Sequence, residues 1–450
     1  MDDELNEQRA LDAAEAAMQA AIAAGAEWAD AVAGWGRSLS ASFERSTIRE
    51  TEASIGEGVG VRAFVKGGVG MAVANELNLQ SARKVGETAA ELARATSPDP
   101  DFKRLPEPQP LADEPASFDE RLVGLPAGRL VEICTEAIDR ARAVRDCVFL
   151  AGGASADAGV WAMVSCTGIA VARRSSAIGM SVHASVWEGD AAASYADGTG
   201  ARRLEDFQWQ DIPARVVGQA ARLLGERPIR TGRYDVILDF RNAYYWLTGV
   251  VFCCNAEDVQ RKRSFMAGKE GDMVASQILT IVEDPFIQWG PSSAACDGEG
   301  VPTRKRNIID HGVLTTYLHN SYTAGKAGVE PTGHAARGGW SPDVGIAASN
   351  LLVLPGDKPL AELIKEVDSG ILVVMGEPAP DTTSGQVSET VDGGFFIRHG
   401  EVTFPVKGVM LTGNIFDYLK NIDAVSSDYR TEAGLIMPAV RIRDVQISAL

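Results

Sequence analysis

Hydrolytic, metal and nucleophilic chemistry each need particular residue types at particular spacings, and few stretches of this 450-residue chain offer them. Asp297 and Glu299 in CDGEGVPT form a carboxylate pair able to hold a cation or to divide acid and base roles. The reading favoured for them is a tight Gly-rich turn with solvated charges. His334 in PTGHAARGG is the one histidine set in a loop with the look of a functional surface, and Arg337 follows in the same loop. In DTTSGQVSE, Asp381, Ser384, Ser388 and Glu389 could line a pocket, although Thr, Ser and Gly also serve plain turns. The candidate contact residues for a substrate or partner are therefore Asp297, Glu299, His334, Arg337, Ser384 and Ser388. None is given a catalytic or metal-binding role.

The other histidines point to structure. His311 and His399 each precede a glycine in two near-copies, IIDHGVL and FIRHGEV, where two-residue hairpin turns are expected. Even on one continuous strand, His311 and His319 would stand about 26 Å apart, too far for one metal. His183 lies in the alternating run SVHASVW. No two histidines have helical zinc-site spacing, and no G-x-S-x-G announces a nucleophile elbow. GEGVGVRAFVKGGVG lacks the G-K-[ST] ending of a phosphate loop, and two strands around a turn at Gly67-Gly68 explain its glycines. The six cysteines form no C-x-x-C, and Cys253-Cys254 is poor disulfide geometry, so a reduced cytoplasm is the expected home.

With 43 Lys and Arg against 61 Asp and Glu, the formal charge of -18 argues against a nucleic-acid footprint and against docking on an anionic membrane. The basic triplets at 261–263 and 304–306 are expected to be local ion-pair partners. The acidic, Ala-rich start does not read as a signal peptide, and no apolar run approaches the ~20 residues of a membrane span.

The elements that must position these residues follow from periodicity. Helices are expected over 4–23 (with Asp2, Asp3 and Glu4 at its positive end), 80–94, 126–143 and 211–224, the last capped by Asp211. Leu130, Ile133, Cys134, Ala137, Ile138 and Ala141 form the buried stripe of the third, which makes Cys134 a small core residue. Strands are expected within 29–74 and as a meander over 148–196, turning at Thr167-Gly168, Ile178-Gly179 and Glu188-Gly189. A Pro-rich connection fills 97–116. The first α+β domain spans 1–226 and a second, rich in antiparallel strands, spans 227–450. In the second, 234–238 is a strand, Tyr244 to Cys254 is apolar enough to be buried all round, by its own domain and by an interface with a partner, and a short helix has Asp357 as its cap.

An ordered series of phrases in the second half resembles the TldD/PmbA (TldE) family, described as modulators of DNA gyrase. It runs through GDMVASQILTIVEDP, DGEGVPTRKRNIIDHGVLTTYLHNSYTA, PTGHAAR, NLLVLPGDKPLAELI, TSGQVSETVDGGFFIRHGEVTFPVKGVMLTGNIFDYLKNI and PAVRIRDVQISA. The first half joins it through RETEASIGEGVGVRAFVKGGVGMAVAN. The resemblance implies a barrel-like second domain. It also implies one of two kinds of subunit. The TldD-like kind carries His-Glu-x-x-x-His on a helix and a later Cys, a hydrolytic zinc site. The corresponding stretch here, FRNAYYWLTGVVFCCNAEDVQRKRSFMAGKE, has no histidine, and no Cys follows Cys296. The chain therefore resembles the PmbA/TldE kind, with Ser384-Gly385-Gln386-Val387-Ser388 standing where that kind usually has Thr-Gly-Asp-Phe-Ser. This implies a non-catalytic subunit that binds no cofactor itself. Zinc is expected only in a TldD-like partner, and the substrates are extended, unfolded peptides and peptide-antibiotic precursors. A homodimer is the expected assembly where that partner is missing. The alternatives are a stand-alone hydrolase around Asp297, Glu299 and His334, and a gyrase-modulating binding protein without a protease role.

Overall fold

The computed structural model describes residues 6–146 and 148–449. Asp2, Asp3, Glu4 and Cys147 lie outside the described residues. The fold is α+β, built on two large sheets.

The first half contains α1 (Glu7–Ala23), β1 (Trp28–Glu44), β2 (Thr47–Val65), β3 (Gly68–Ala74), α2 (Leu79–Ala95), α3 (Glu120–Val123), α4 (Ala127–Val144), β4 (Val148–Ser165), β5 (Ala170–Glu188), β6 (Ala191–Ala201) and α5 (Ile212–Arg222). Its strands form one antiparallel sheet in the order β3-β2-β1-β4-β5-β6. Alternation gives the sheet two unlike faces. One carries Ala31, Trp35, Leu39, Leu150, Ile178 and Val182, which pack under α1 and α2 at one end and under α4 and α5 at the other. The buried stripe of α4 is the one its periodicity gives. α1 and α2 pack alanine against alanine, and Gly86 lets them touch, since a Cβ there would stand 2.1 Å from the Ala17 carbonyl. The opposite face is paved with small residues: Gly36, Ser38 and Ser40 of β1, Gly153 and Ser155 of β4, Gly179 and Ser181 of β5.

The second half begins with β7 (Arg227–Pro228), β8 (Gly232–Leu238) and α6 (Phe240–Phe252). Its nine-stranded sheet curls into a half-barrel. Most pairings are antiparallel, as expected, but β8 lies parallel to Ser369–Met375, and β7 parallel to Glu401–Lys407. Ile237, Leu372 and Phe395 of this sheet share one apolar cluster with α4 and α5, so the halves are packed through a common core.

Several local expectations shift. The hairpin of β2 and β3 turns at Lys66-Gly67, both at positive φ, while Gly68 already belongs to β3. Gly68 is a glycine because a Cβ would meet the Ala93 carbonyl at 2.4 Å. Ile178-Gly179 is no turn: Gly179 pairs with Ser155 and Gly200 on either side and β5 runs straight through. Asp211 occupies the cap position of α5 without a side-chain cap bond, and the short helix Leu360–Lys365 has Pro359, not Asp357, at its cap. Its Leu360 N–H donates to Asp428 at 2.7 Å instead. α6 is not buried all round. It hides Ala243, Trp246, Leu247, Val250 and Val251 but leaves Tyr245 46% and Phe252 58% exposed. A 3.6-residue repeat cannot bury every position of a helix lying on one sheet.

Candidate functional site

Asp30 on β1 and Arg62 on β2 are cross-strand neighbours. Both are buried, and Arg62 also donates to Glu299 Oε1 at 2.7 Å. Arg337 closes the set by donating to Asp30 Oδ2 at 2.9 Å. Two carboxylates and two guanidiniums thus form a neutral, water-excluded cluster in which the first sheet supplies one acid and one base and the second half supplies the others. Burial pushes the Asp30 carboxyl up, but Arg337 and Arg62 outweigh it and hold it below the usual carboxylate range. Burial likewise opposes the charge of Arg62, and Asp30 and Glu299 overcome it. Such a cluster costs desolvation, and losing one member leaves an unpaired buried charge.

Glu299 also accepts the Ser321 N–H at 2.8 Å and the Ser321 hydroxyl at 2.6 Å, which fixes the start of the helix Ser321–Ala327. Asp297 takes the N–H groups of Glu299 and Val301 on one oxygen and of Ala335 on the other. Burial, and after it the charge of Glu299, raise its pKa to about 7, with the three N–H donors pulling the other way. His334 is 2% exposed. Its Nε2 lies 2.8 Å from Glu283 Oε2, and its Nδ1 lies 2.8 Å from the Thr332 hydroxyl. Burial raises Glu283, but the His334 contact outweighs it and holds the carboxyl low.

The loop beyond Arg337 straps the two halves together. Trp340 lies on β2 above Gly56 and Gly58, where a Cβ would meet the indole at 2.9 and 2.3 Å. Its Nε1 donates to Asn75 at 3.2 Å. Two of the glycines that mimic a phosphate loop therefore make room for a tryptophan.

Four of the six candidates, Asp297, Glu299, His334 and Arg337, come together, though not as expected. Asp297 and Glu299 are buried rather than solvated, and His334 is a core histidine rather than a surface one. Glu299 pairs with Arg62 and Arg337 with Asp30, partners more than 200 residues earlier that nothing local in CDGEGVPT announces. Every oxygen of Asp297 and Glu299 is bonded within the protein, so neither stands ready to activate water; the arrangement is suited to holding the halves in register. Ser384 and Ser388 lie elsewhere and are exposed. Ser384 donates to Asp381 at 2.7 Å inside a tight turn, and Ser388 lies on the strand Gln386–Thr390. His311 and His399 sit at positive φ in hairpin turns, as their Gly neighbours suggested. Of the basic triplets, Arg261 pairs with Glu257 at 2.7 Å and Lys305 with Asp284 at 2.7 Å. Burial pushes the Cys253 and Cys296 thiols up to about 12, away from nucleophilic chemistry. Residues that sequence reasoning missed are Asp30, Arg62 and Glu283. Their only signal is a charge inside an otherwise apolar strand. No helix among the described residues is long and apolar enough to cross a membrane.

Comparison with known proteins places this geometry. Two family models match: the PmbA/TldA metallopeptidase C-terminal domain over residues 231–449, and domain 1 of the same family over residues 29–93. A metalloprotease of Methanothermobacter thermautotrophicus is 34% identical over 238 residues, 51% of each chain, so the match spans about half the length of that relative. A metalloprotease PmbA homolog of Haemophilus influenzae is 26% identical over 91% of this chain and 90% of its own. The crystal structure of TldE from Thermococcus kodakarensis superposes with a TM-score of 0.87 at 22% identity, covering 97% of this chain and all of that one. A proposed modulator of DNA gyrase from Bacteroides thetaiotaomicron does so with a TM-score of 0.87 at 23% identity, covering 97% of this chain and 98% of its own. With both halves matched by models of one family, the chain belongs to the PmbA/TldD family.

Proposed function

We propose that this chain is the non-catalytic, PmbA/TldE-like subunit of a heterodimeric zinc metalloprotease acting on unfolded peptides and peptide-antibiotic precursors. The observation that carries the reading is the chemistry of α6. Its sequence corresponds to the stretch where TldD-like subunits resemble zinc hydrolases. Here it offers Asn242, Tyr244, Tyr245 and Thr248 as its polar side chains after Arg241, and the following Cys253 and Cys254 are buried thiols with raised pKa values. That is not a zinc donor set. Among the described residues no three His, Cys, Asp or Glu side chains are grouped to hold a metal ion.

In this reading the partner's zinc supplies the Lewis-acid chemistry of hydrolysis. This chain closes the space around the substrate and orients it. The small-residue face of the first sheet gives an extended chain room to lie close, and the second half makes the main contact with the partner. Exposed Tyr245 and Phe252 on α6 are apolar surface suited to that contact.

The test is to mix the purified chain with a TldD-like subunit and follow assembly by light scattering and cleavage of an unfolded peptide. A one-to-one complex that cleaves, from components that do not, is expected. Cleavage by this chain alone, stopped by a chelator, would contradict the proposal.

A further inference from the structure

The small-residue face of the first sheet meets the loops of the second half around a cleft of about 410 Å³. Two arginines line it: Arg173 on β5, directly opposite Trp161 of β4, and Arg202, just past the end of β6. Neither forms a salt bridge with any described residue, although acidic residues outnumber basic ones by 61 to 43 in this chain. Both are nonetheless held in place. The Arg173 guanidinium lies 4.3 Å from the centre of the Trp161 ring and gives one N–H to the Cys296 carbonyl at 3.1 Å. Arg202 donates to the carbonyls of Ser176, at 3.2 Å, and Pro291. These anchors leave Nε and Nη2 of Arg173 and Nε of Arg202 without a partner among the described residues.

The two cations feel each other: burial, and after it the charge of Arg173, push the Arg202 pKa down. A further donor is left over in the same cleft. The Ser349 hydroxyl is buried there beside Glu283 without a well-formed hydrogen bond. The nearby acids bond elsewhere and make no salt bridge with the pair. Asp297 spends both oxygens on backbone N–H groups, and Glu283 is taken up by His334 and the Ser349 N–H. One open guanidinium fork on Arg173, a second guanidinium on Arg202 with its Nε free, and a buried hydroxyl, with no acid in a salt bridge to either cation, are the chemistry that recognises a planar anion.

We propose that Arg173 and Arg202 form a carboxylate-binding subsite that takes a peptide's carboxylate, either the chain terminus or an acidic side chain. The identity of the ligand as a peptide rests on the function proposed above; the anion site itself does not. A carboxylate held here would fix one end of an extended peptide against the floor of the first sheet.

Titration calorimetry on the full chain tests it with four probes: an unstructured peptide with a free C-terminus and no acidic side chain, its C-terminal amide, the same amide with one internal Glu, and inorganic phosphate. One of the two carboxylate-bearing peptides is expected to bind on the order of tenfold to a hundredfold more tightly than the neutral amide, and which one does so separates terminal from side-chain recognition. Arg173→Gln and Arg202→Gln should each erase that difference while amide binding persists. Arg202→Lys, which keeps the charge and loses the fork, should retain part of it and controls for folding. Equal binding of all peptides, a preference that survives both substitutions, no peptide binding at all, or binding of phosphate alone would each overturn the subsite. Failure of the proposed function would appear separately, in the assembly and cleavage assay with the partner.

Discussion

The segments 297–337 and 381–388 carry the same kinds of residue, an acid beside hydroxyls and glycines, and they resolve into opposite environments. In the first, Glu299 and Arg337 pair with Arg62 and Asp30 of the first sheet, Asp297 takes three backbone N–H groups, and His334 lies between Glu283 and Thr332. In the second, Asp381 and Ser384 close a small turn in water, and Ser388 stands outward on a strand. Residue type marked both segments alike. The difference comes from what the rest of the chain brings against them: the acids of the first are buried and paired, and the side chains of the second face water.

The strongest way to break this contrast is Arg62→Leu, which leaves Asp30 and Glu299 as buried charges short of a partner. It should cost about 3–5 kcal/mol in urea unfolding. A loss below about 1 kcal/mol would show that the cluster is wetter than described. His334→Ala removes the bond that holds Glu283 and is expected to cost about 1–3 kcal/mol, read from the shift in the unfolding midpoint.

Asp297 sharpens the contrast through pH. Its pKa rises from 3.8 in the unfolded chain to about 7 in the fold, so between those values the folded state keeps a proton that the unfolded state has lost. Stability from this group is present at the acid end and is lost as pH rises toward 7. Asp297→Asn should remove that slope, so the difference in unfolding free energy between wild type and variant should drift toward the variant between pH 5 and pH 7.5. A difference flat with pH would contradict the raised pKa. The smallest effects belong to the exposed segment. Ser384→Ala and Ser388→Ala should move stability by no more than about 0.5 kcal/mol. If the segment touches substrate, as proposed, they should lower turnover by the assembled pair, and unchanged turnover would remove it from the substrate path.

What the sequence discloses depends on how far away the cause lies. The stripe from Leu130 to Ala141 and the turns at His311 and His399 are set by neighbours a few residues along, so periodicity and turn chemistry find them. Tyr245 and Phe252 are exposed in the single chain, because an apolar run does not say which side of a helix faces its own sheet. The pairing of Glu299 and the reason for Gly56 and Gly58 depend on contacts more than 200 residues distant. Local pattern offers no handle on these. The order of phrases along the chain does, because it reports the whole fold at once.

The central claim, that this chain brings no zinc of its own, is tested most directly by counting metal in it. Elemental analysis of the full chain, purified without a chelator and then dialysed against zinc and metal-free buffer in turn, should find well below one tightly held zinc per chain, beside about one in a TldD-like subunit treated the same way. Near-equimolar zinc retained by this chain, with peptide cleavage that a chelator abolishes, would contradict the account.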